Sequence, residues 1–214
     1  MGGSSLFGKH VDGVLRDFPF SVSVRAYYLT FILYLILLPV SFYVSYERGD
    51  SPDAYRNFSL LMALFAPVTF VVYSVAITGF MKLGLECKSR LLGYASAMAV
   101  LSSMIAMGFE IVGELLFWMG SSHTNTFYMA SYLVGAIVSG ITSLAFGVGV
   151  WRARDNKLFK TVGGLNVLVG IMSLTVFLFV IAVIASLPLI LLEARLLSKE
   201  DKKVLASASH EKAH

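Results

Sequence analysis

Five long apolar segments limit what this chain can fold into, because each is long enough to cross a lipid bilayer. A helix needs roughly 20 apolar residues to span the hydrocarbon core. Within that core, backbone polar groups must be satisfied inside the protein, and continuous apolar segments of this length do so as α-helices. The segments are residues 26–46, 58–81, 91–119, 127–150 and 162–192.

The composition supports the same class. Hydrophobic residues make up 57% of the 214 residues and charged residues only 14%, whereas a soluble domain carries about 25% charged residues. The formal net charge of +4 is small and scattered, which argues against a nucleic-acid partner. We therefore predict an all-α integral membrane protein whose surroundings are the lipid bilayer.

The chain divides into three parts on this reading. Residues 1–25 form an arm, residues 26–192 form a five-span transmembrane bundle, and residues 193–214 form a polar C-terminal tail. Apolar residues at helical spacing predict an amphipathic helix at residues 4–18. Such a helix lies in the membrane interface or, as the alternative, packs on the loops of the bundle.

Basic residues predict the orientation in the cell membrane. Lys and Arg are concentrated in the arm and in the second and fourth loops, which the positive-inside rule places in the cytoplasm. Five crossings then put the C-terminal tail outside, although it carries five basic residues: Arg195, Lys199, Lys202, Lys203 and Lys212. Residues 162–197 are too short for two ordinary spans and long for one, so this part of the topology remains open.

Two carboxylates, Glu110 and Glu114, are the only ionisable residues within the five segments. An ionisable group at membrane depth is costly and is a functional-site hypothesis by default. If Trp118 marks the outer interface, Glu110 lies about 12 Å inward and Glu114 about 6 Å inward. We therefore expect Glu114 to have access to solvent and Glu110 to be deep.

Glu110 shares a helix face with small residues, which points it toward a neighbouring helix. One interpretation is a protonated packing contact that donates a hydrogen bond to Ser102, Ser103, Ser139 or Ser143. The other interpretation is a proton or cation site, with Glu110 as the inner ligand and Glu114 at the outer mouth.

Small residues also predict helix packing, because they let membrane helices approach closely. They recur every four residues in the fourth segment, and a similar stripe begins the fifth, where Asn166 is suited to hydrogen-bond across helices. The contacts they make are either intramolecular or part of a homo-oligomer or hetero-complex. These residues are Gly135, Ser139, Ser143, Gly147, Gly163, Gly164, Asn166 and Gly170.

Motifs for catalysis, metal binding and cofactors are missing from the sequence. It contains no HExxH, Cys cluster, P-loop or GxSxG, so we predict no catalytic residue, no metal site and no cofactor. The leading functional prediction is a non-enzymatic accessory or interaction subunit of a membrane assembly. The alternative is a channel or transporter for protons or cations that uses Glu110, and an enzyme ranks third.

Overall fold

The computed structural model describes residues 13–47, 52–175 and 178–211. These residues form six long helices and no strand. The helices are α1 (Phe20–Glu47), α2 (Pro52–Glu86), α3 (Arg90–Trp118), α4 (Thr124–Ala153), α5 (Lys157–Leu174) and α6 (Phe179–Glu211). Residues 13–17 add a helical turn before Pro19, whereas residues 4–12 of the predicted amphipathic helix lie outside the described residues.

All six helices contain a stretch long and apolar enough to cross a membrane. The all-helical membrane class is therefore confirmed, with six candidate spans where the sequence suggested five. The difference lies in residues 162–192, where the chain leaves the helix at Thr175 (φ −84°, ψ 92°) and begins α6 at Phe179. Two helices fit where one segment was predicted, because α5 begins before residue 162 and α6 continues beyond residue 192. Residues 193–211, predicted as a polar tail, belong to α6.

Local signals in the sequence set several helix ends. The side chains of Ser89 and Asn156 cap the first turns of α3 and α5 by accepting hydrogen bonds from the backbone N–H groups of Leu92 and Leu158. Lys88 (φ 53°) ends α2 and Gly120 (φ 70°) ends α3 in the left-handed region. At both positions the backbone hydrogen bonds form a Schellman motif.

The helices form a closed ring, because each contacts its neighbours in the chain and α6 also contacts α1. Three contacts define one end of this ring, which we call the Arg154 end. Arg154 pairs with Glu200 of α6 and donates a hydrogen bond to the Cys87 thiol, and Lys82 donates one to the carbonyl of Phe18. The opposite end, which we call the Trp118 end, contains the connection between α3 and α4.

The tightly packed core lies near the Arg154 end. Phe80 of α2 meets Phe146 of α4 edge to face, with ring centroids 4.9 Å apart, and Tyr27 of α1 meets Phe80 at 6.0 Å. The large apolar side chains with less than 2% exposure come from the parts of the helices nearest this end: Phe20, Tyr27, Ile77, Phe80, Leu83, Leu92, Val150, Phe159, Val162, Leu196 and Leu197. The half of the bundle toward the Trp118 end is packed less closely, and this leaves room for a cavity.

Candidate functional site

A cavity of about 240 Å³ lies among α1, α2, α3 and α4. Its position follows from the packing, because the large buried side chains fill the other half of the ring. Although the surrounding helix segments are apolar, the cavity wall carries one carboxylate and eight hydroxyl groups. These polar residues are Tyr34, Thr69, Tyr73, Ser102, Ser103, Glu110, Ser139, Thr142 and Ser143.

Glu110 is the only Asp, Glu, Lys, Arg or His among the residues that line this cavity. It shares the wall with Ala99, Ser103 and Ala106 of its own helix, so the small-residue face of α3 does point inward between helices. The Glu110 side chain has accessible surface because it borders an open cavity. In the described part of the chain, no hydrogen bond or ion pair engages its carboxyl group.

The four serines expected as partners of Glu110 all line the same cavity. None of them forms a hydrogen bond to Glu110 among the described residues. Ser103 donates to the carbonyl of Val100 in its own helix instead, at 2.8 Å. The cavity thus brings the predicted groups together without forming the predicted packing contact.

Glu114 is the buried member of the carboxylate pair, with 9% exposure, and it does not line the cavity. This placement differs from the expected solvent access and from a position at the cavity mouth. The reason is the approach of α4, whose first turns cover this part of α3. The Tyr128 ring lies against Gly113, and Phe127 meets Phe109 edge to face.

A second polar cluster lies deeper in the ring, centred on Glu193 of α6. Asn166 of α5 donates a 2.8 Å hydrogen bond to Oε1 of Glu193, and both residues are buried. The Tyr27 hydroxyl lies near this carboxyl group. The Tyr27 side chain is fully buried.

Sequence reasoning missed Glu193 because it follows the predicted fifth segment by one residue and was assigned to the polar tail. The signal that marks it is the continuation of the apolar pattern on both sides. The apolar residues 189–192 precede it. Three fully buried apolar residues follow it, Ala194, Leu196 and Leu197. A carboxylate set within such a run belongs to a buried helix face.

Comparisons with family models, with curated proteins and with solved structures find no match to this chain. Function is therefore inferred from the side chains of the cavity and of the Glu193 cluster.

The small-residue stripes separate into two groups. Gly147 of α4 packs against α5, since a Cβ atom built there lies 2.7 Å from the carbonyl oxygen of Gly163. Gly163 and Gly170 meet the backbone of α4 equally closely, and Gly164 meets the Trp151 ring. In contrast, Gly135, Ser139 and Ser143 line the cavity.

At the Arg154 end, an ion pair connects the loop between α4 and α5 to α6. The hydrogen bond to Cys87, together with the negative charges of Glu200 and Glu86, raises the pKa of the Arg154 guanidinium. Glu200 has only 3% of its side chain exposed and also accepts from Lys203 at 2.6 Å. These contacts hold the end of the bundle together and lie apart from the cavity.

The chemistry available to the cavity is the binding of a proton or a small cation. A carboxylate among hydroxyl groups offers oxygen ligands and proton-exchanging groups. Within the residues that the structure describes, no three His, Cys, Asp or Glu side chains come together in a set suited to hold a metal ion.

Proposed function

We propose that this chain is a multi-pass membrane protein that moves protons or small cations across the bilayer, with Glu110 as the binding carboxylate. The observation that carries the proposal is the position of Glu110 on the wall of a cavity between four candidate spans. Acidic residues within transmembrane segments usually face a bundle interior or a water-filled cavity and mark ion and proton pathways.

The absence of a protein partner for Glu110 in the described residues supports this proposal further. A carboxyl group that serves only packing needs a hydrogen-bond donor or acceptor nearby, because an unsatisfied polar group in an apolar medium costs several kcal/mol, about 4 to 8 in the most apolar solvents. A carboxyl group that takes up protons or cations from water must instead be accessible from a cavity.

The orientation that fits this function has the Arg154 end in the cytoplasm. With six crossings, the basic residues that follow Glu193 lie at the same end as the basic second and fourth loops, which satisfies the positive-inside rule. The conflict created by five crossings no longer arises. The Glu110 cavity then lies in the outer half of the membrane.

Proton and cation flux into liposomes tests the proposal. The purified protein is reconstituted, and flux is driven by a pH or potassium gradient in the presence of a fluorescent reporter. We expect flux in the wild type and only the protein-free rate in Glu110→Gln, because the amide keeps the size of the side chain but cannot ionise. Asp201→Asn is the matched control, since it makes the same change at the far end of α6. Wild-type flux in Glu110→Gln would rule out the proposed site.

An accessory subunit of a membrane assembly is the second candidate. It is favoured by the open space in front of Gly108, where nothing lies within 4 Å of a Cβ atom built on this residue. A small-residue face left open in this way can receive a helix of a partner. Photocrosslinking from position 108 in native membranes distinguishes the candidates, because a subunit yields a defined crosslinked partner and a self-contained transporter yields none.

A further inference from the structure

The lining of the Glu110 cavity combines aromatic rings, hydroxyl groups and one carboxylate. The rings of Tyr34, Phe70 and Tyr73 belong to its α1 and α2 sides. α3 supplies Glu110, and α4 leaves its backbone bare at Gly135. Ligand sites in proteins have mostly apolar and aromatic walls with a few polar groups that fix the orientation of the ligand. The cavity has this composition, whereas a path for protons alone needs no aromatic wall.

The single carboxylate sets the charge of a ligand. In the described part of the chain, no hydrogen bond or ion pair engages Glu110, and the cavity lining adds no further Asp, Glu, Lys, Arg or His. A charge at membrane depth is costly without a partner of opposite charge. A ligand with one positive charge therefore neutralises the site. An anion is repelled, and a divalent cation leaves one charge unbalanced.

Two hydroxyl groups of the wall favour a ligand that donates hydrogen bonds. Thr69 donates to the carbonyl oxygen of Ala66, and Ser103 donates to that of Val100, each at 2.8 Å. A hydroxyl group whose proton is engaged in this way still has an oxygen that accepts hydrogen bonds. Because the ionised carboxylate of Glu110 is also an acceptor, the donors have to come from the ligand. N–H groups of a cation supply them.

The aromatic rings suit an organic cation. Ammonium and guanidinium groups are attracted to the face of an aromatic ring. Guanidinium also stacks on such rings, and it pairs with a carboxylate through two parallel hydrogen bonds. Metal ions such as calcium and magnesium are instead held by a close shell of oxygen ligands, to which an aromatic face contributes nothing.

The volume of the cavity limits the size of the ligand. It is about 240 Å³, which is below the roughly 300 to 1,000 Å³ of pockets that take drug-sized molecules. At roughly 30 Å³ for each water molecule, the cavity holds about eight of them. A ligand with about eight non-hydrogen atoms or fewer therefore fits. Part of the free space lies in front of Gly135, where a Cβ atom meets nothing within 4 Å.

We propose that the cavity binds a small organic cation with N–H donors, and that this cation is the transported ion. The inference rests on the proposed function and narrows the cation to this chemical class. Its N–H groups donate to the Glu110 carboxylate and to the hydroxyl oxygens of Thr69 and Ser103, while its carbon atoms lie against the aromatic rings of α1 and α2. Binding is reversible, and no covalent bond forms or breaks.

Binding of radiolabelled guanidinium to the purified protein in detergent tests the proposal, because guanidinium is small, carries N–H donors and stays charged at neutral pH. We expect saturable binding in the wild type. Glu110→Gln should lower the affinity by about tenfold or more, as the loss of one partner of a charge pair does. Gly135→Leu should lower it similarly, because the leucine side chain fills the cavity without changing the carboxylate.

Gly93→Leu is the matched control for Gly135→Leu and should bind as the wild type does. A Cβ atom at Gly93 also meets nothing within 4 Å, but Gly93 does not line the cavity. The same label is then followed into reconstituted liposomes. We expect uptake by the wild type and by Gly93→Leu, and only the protein-free rate in the other two variants.

Unlabelled competitors show which features of the ligand the wild-type site requires. Methylguanidinium should displace the label. Tetramethylammonium has the charge without N–H groups, and it should need a concentration about tenfold higher or more, a difference of about 1.4 kcal/mol. Tetrabutylammonium should not compete, because it has about twice as many non-hydrogen atoms as the cavity holds water molecules. Potassium at the same concentration should not compete either. If Gly135→Leu does not fold, this series decides.

The outcomes separate this inference from the proposed function. Absence of saturable guanidinium binding or uptake in the wild type overturns the inference, as does equal competition by potassium, tetramethylammonium and methylguanidinium. Wild-type binding in a folded Glu110→Gln or Gly135→Leu variant overturns it as well. In each case, proton or potassium flux that Glu110→Gln abolishes leaves the proposed function standing. Wild-type proton and cation flux in Glu110→Gln overturns the proposed function itself.

Discussion

Arg154 and Glu200 form an ion pair in which Nη1 and Oε2 are 2.8 Å apart. The pair joins the loop between α4 and α5 to the last third of α6. Because Lys82 joins α2 to Phe18 at the same end, the first and last described segments of the chain meet there. Six consecutive helices place these two segments at the same end of the bundle, whereas five would place them at opposite ends.

Cysteine labelling checks this topology. In a Cys87→Ser background, Asn125→Cys at the Trp118 end and Ser207→Cys at the Arg154 end both place a thiol at an exposed position. We expect a membrane-impermeant maleimide to label the first in intact cells and the second only after permeabilisation. Labelling of both in intact cells would restore the five-span arrangement.

Alanine substitutions in α4 distinguish the glycine that packs against α5 from the glycine at the cavity. A Cβ atom at Gly147 lies 2.7 Å from two backbone atoms of α5, whereas at Gly135 it meets nothing within 4 Å. We expect Gly147→Ala to lower the free energy of unfolding by about 1 to 3 kcal/mol, as overpacking does. Gly135→Ala should leave stability unchanged or raise it slightly, because alanine favours the helix. Unfolding in mixed micelles measures both, and equal losses would contradict this assignment.

Two helix ends test the strain of left-handed backbone. Lys88 adopts a φ of 53°, where a Cβ atom is sterically unfavourable. Gly120 adopts a φ of 70°, which glycine populates without steric cost. We expect Lys88→Gly to stabilise the protein by about 0.5 to 1 kcal/mol, since relief of strain exceeds the added freedom of the unfolded chain. Gly120→Ala should destabilise it by about 1 kcal/mol. The same direction of change in both variants would argue against Schellman ends at these positions.

Asn166 supplies the hydrogen bond that satisfies the buried carboxyl group of Glu193. We expect Asn166→Ala to lower the free energy of unfolding by about 1 to 3 kcal/mol, because it leaves a buried acceptor without its donor. Asn125→Ala is the matched control at an exposed position in the first turn of α4 and should change stability little. Thermal unfolding in detergent compares the two, and equal midpoints would show that the Asn166 contact is weak.

Some features of the candidate site could be predicted from the sequence, and others depend on how the helices pack. Glu110 was recognisable in the sequence because charged residues are rare in apolar segments, and its face was recognisable because helical spacing groups it with Ala99, Ser103 and Ala106. The burial of Glu114 could not be predicted from the sequence, because it depends on how closely the first turns of α4 approach α3. The helix break at Thr175 could not be predicted either, because neither glycine nor proline occurs at that point in the sequence.

The sequence by itself determined that this chain forms apolar helices in a membrane, because the transfer of each segment into lipid depends on its own composition. It also determined that a carboxylate lies within one of them. Only the tertiary structure decided that there are six helices, that their large side chains fill one half of the ring, and that Glu193 joins Tyr27 and Asn166 in the interior. These features depend on how all six helices pack together, and close packing is a property of the whole bundle rather than of any one segment.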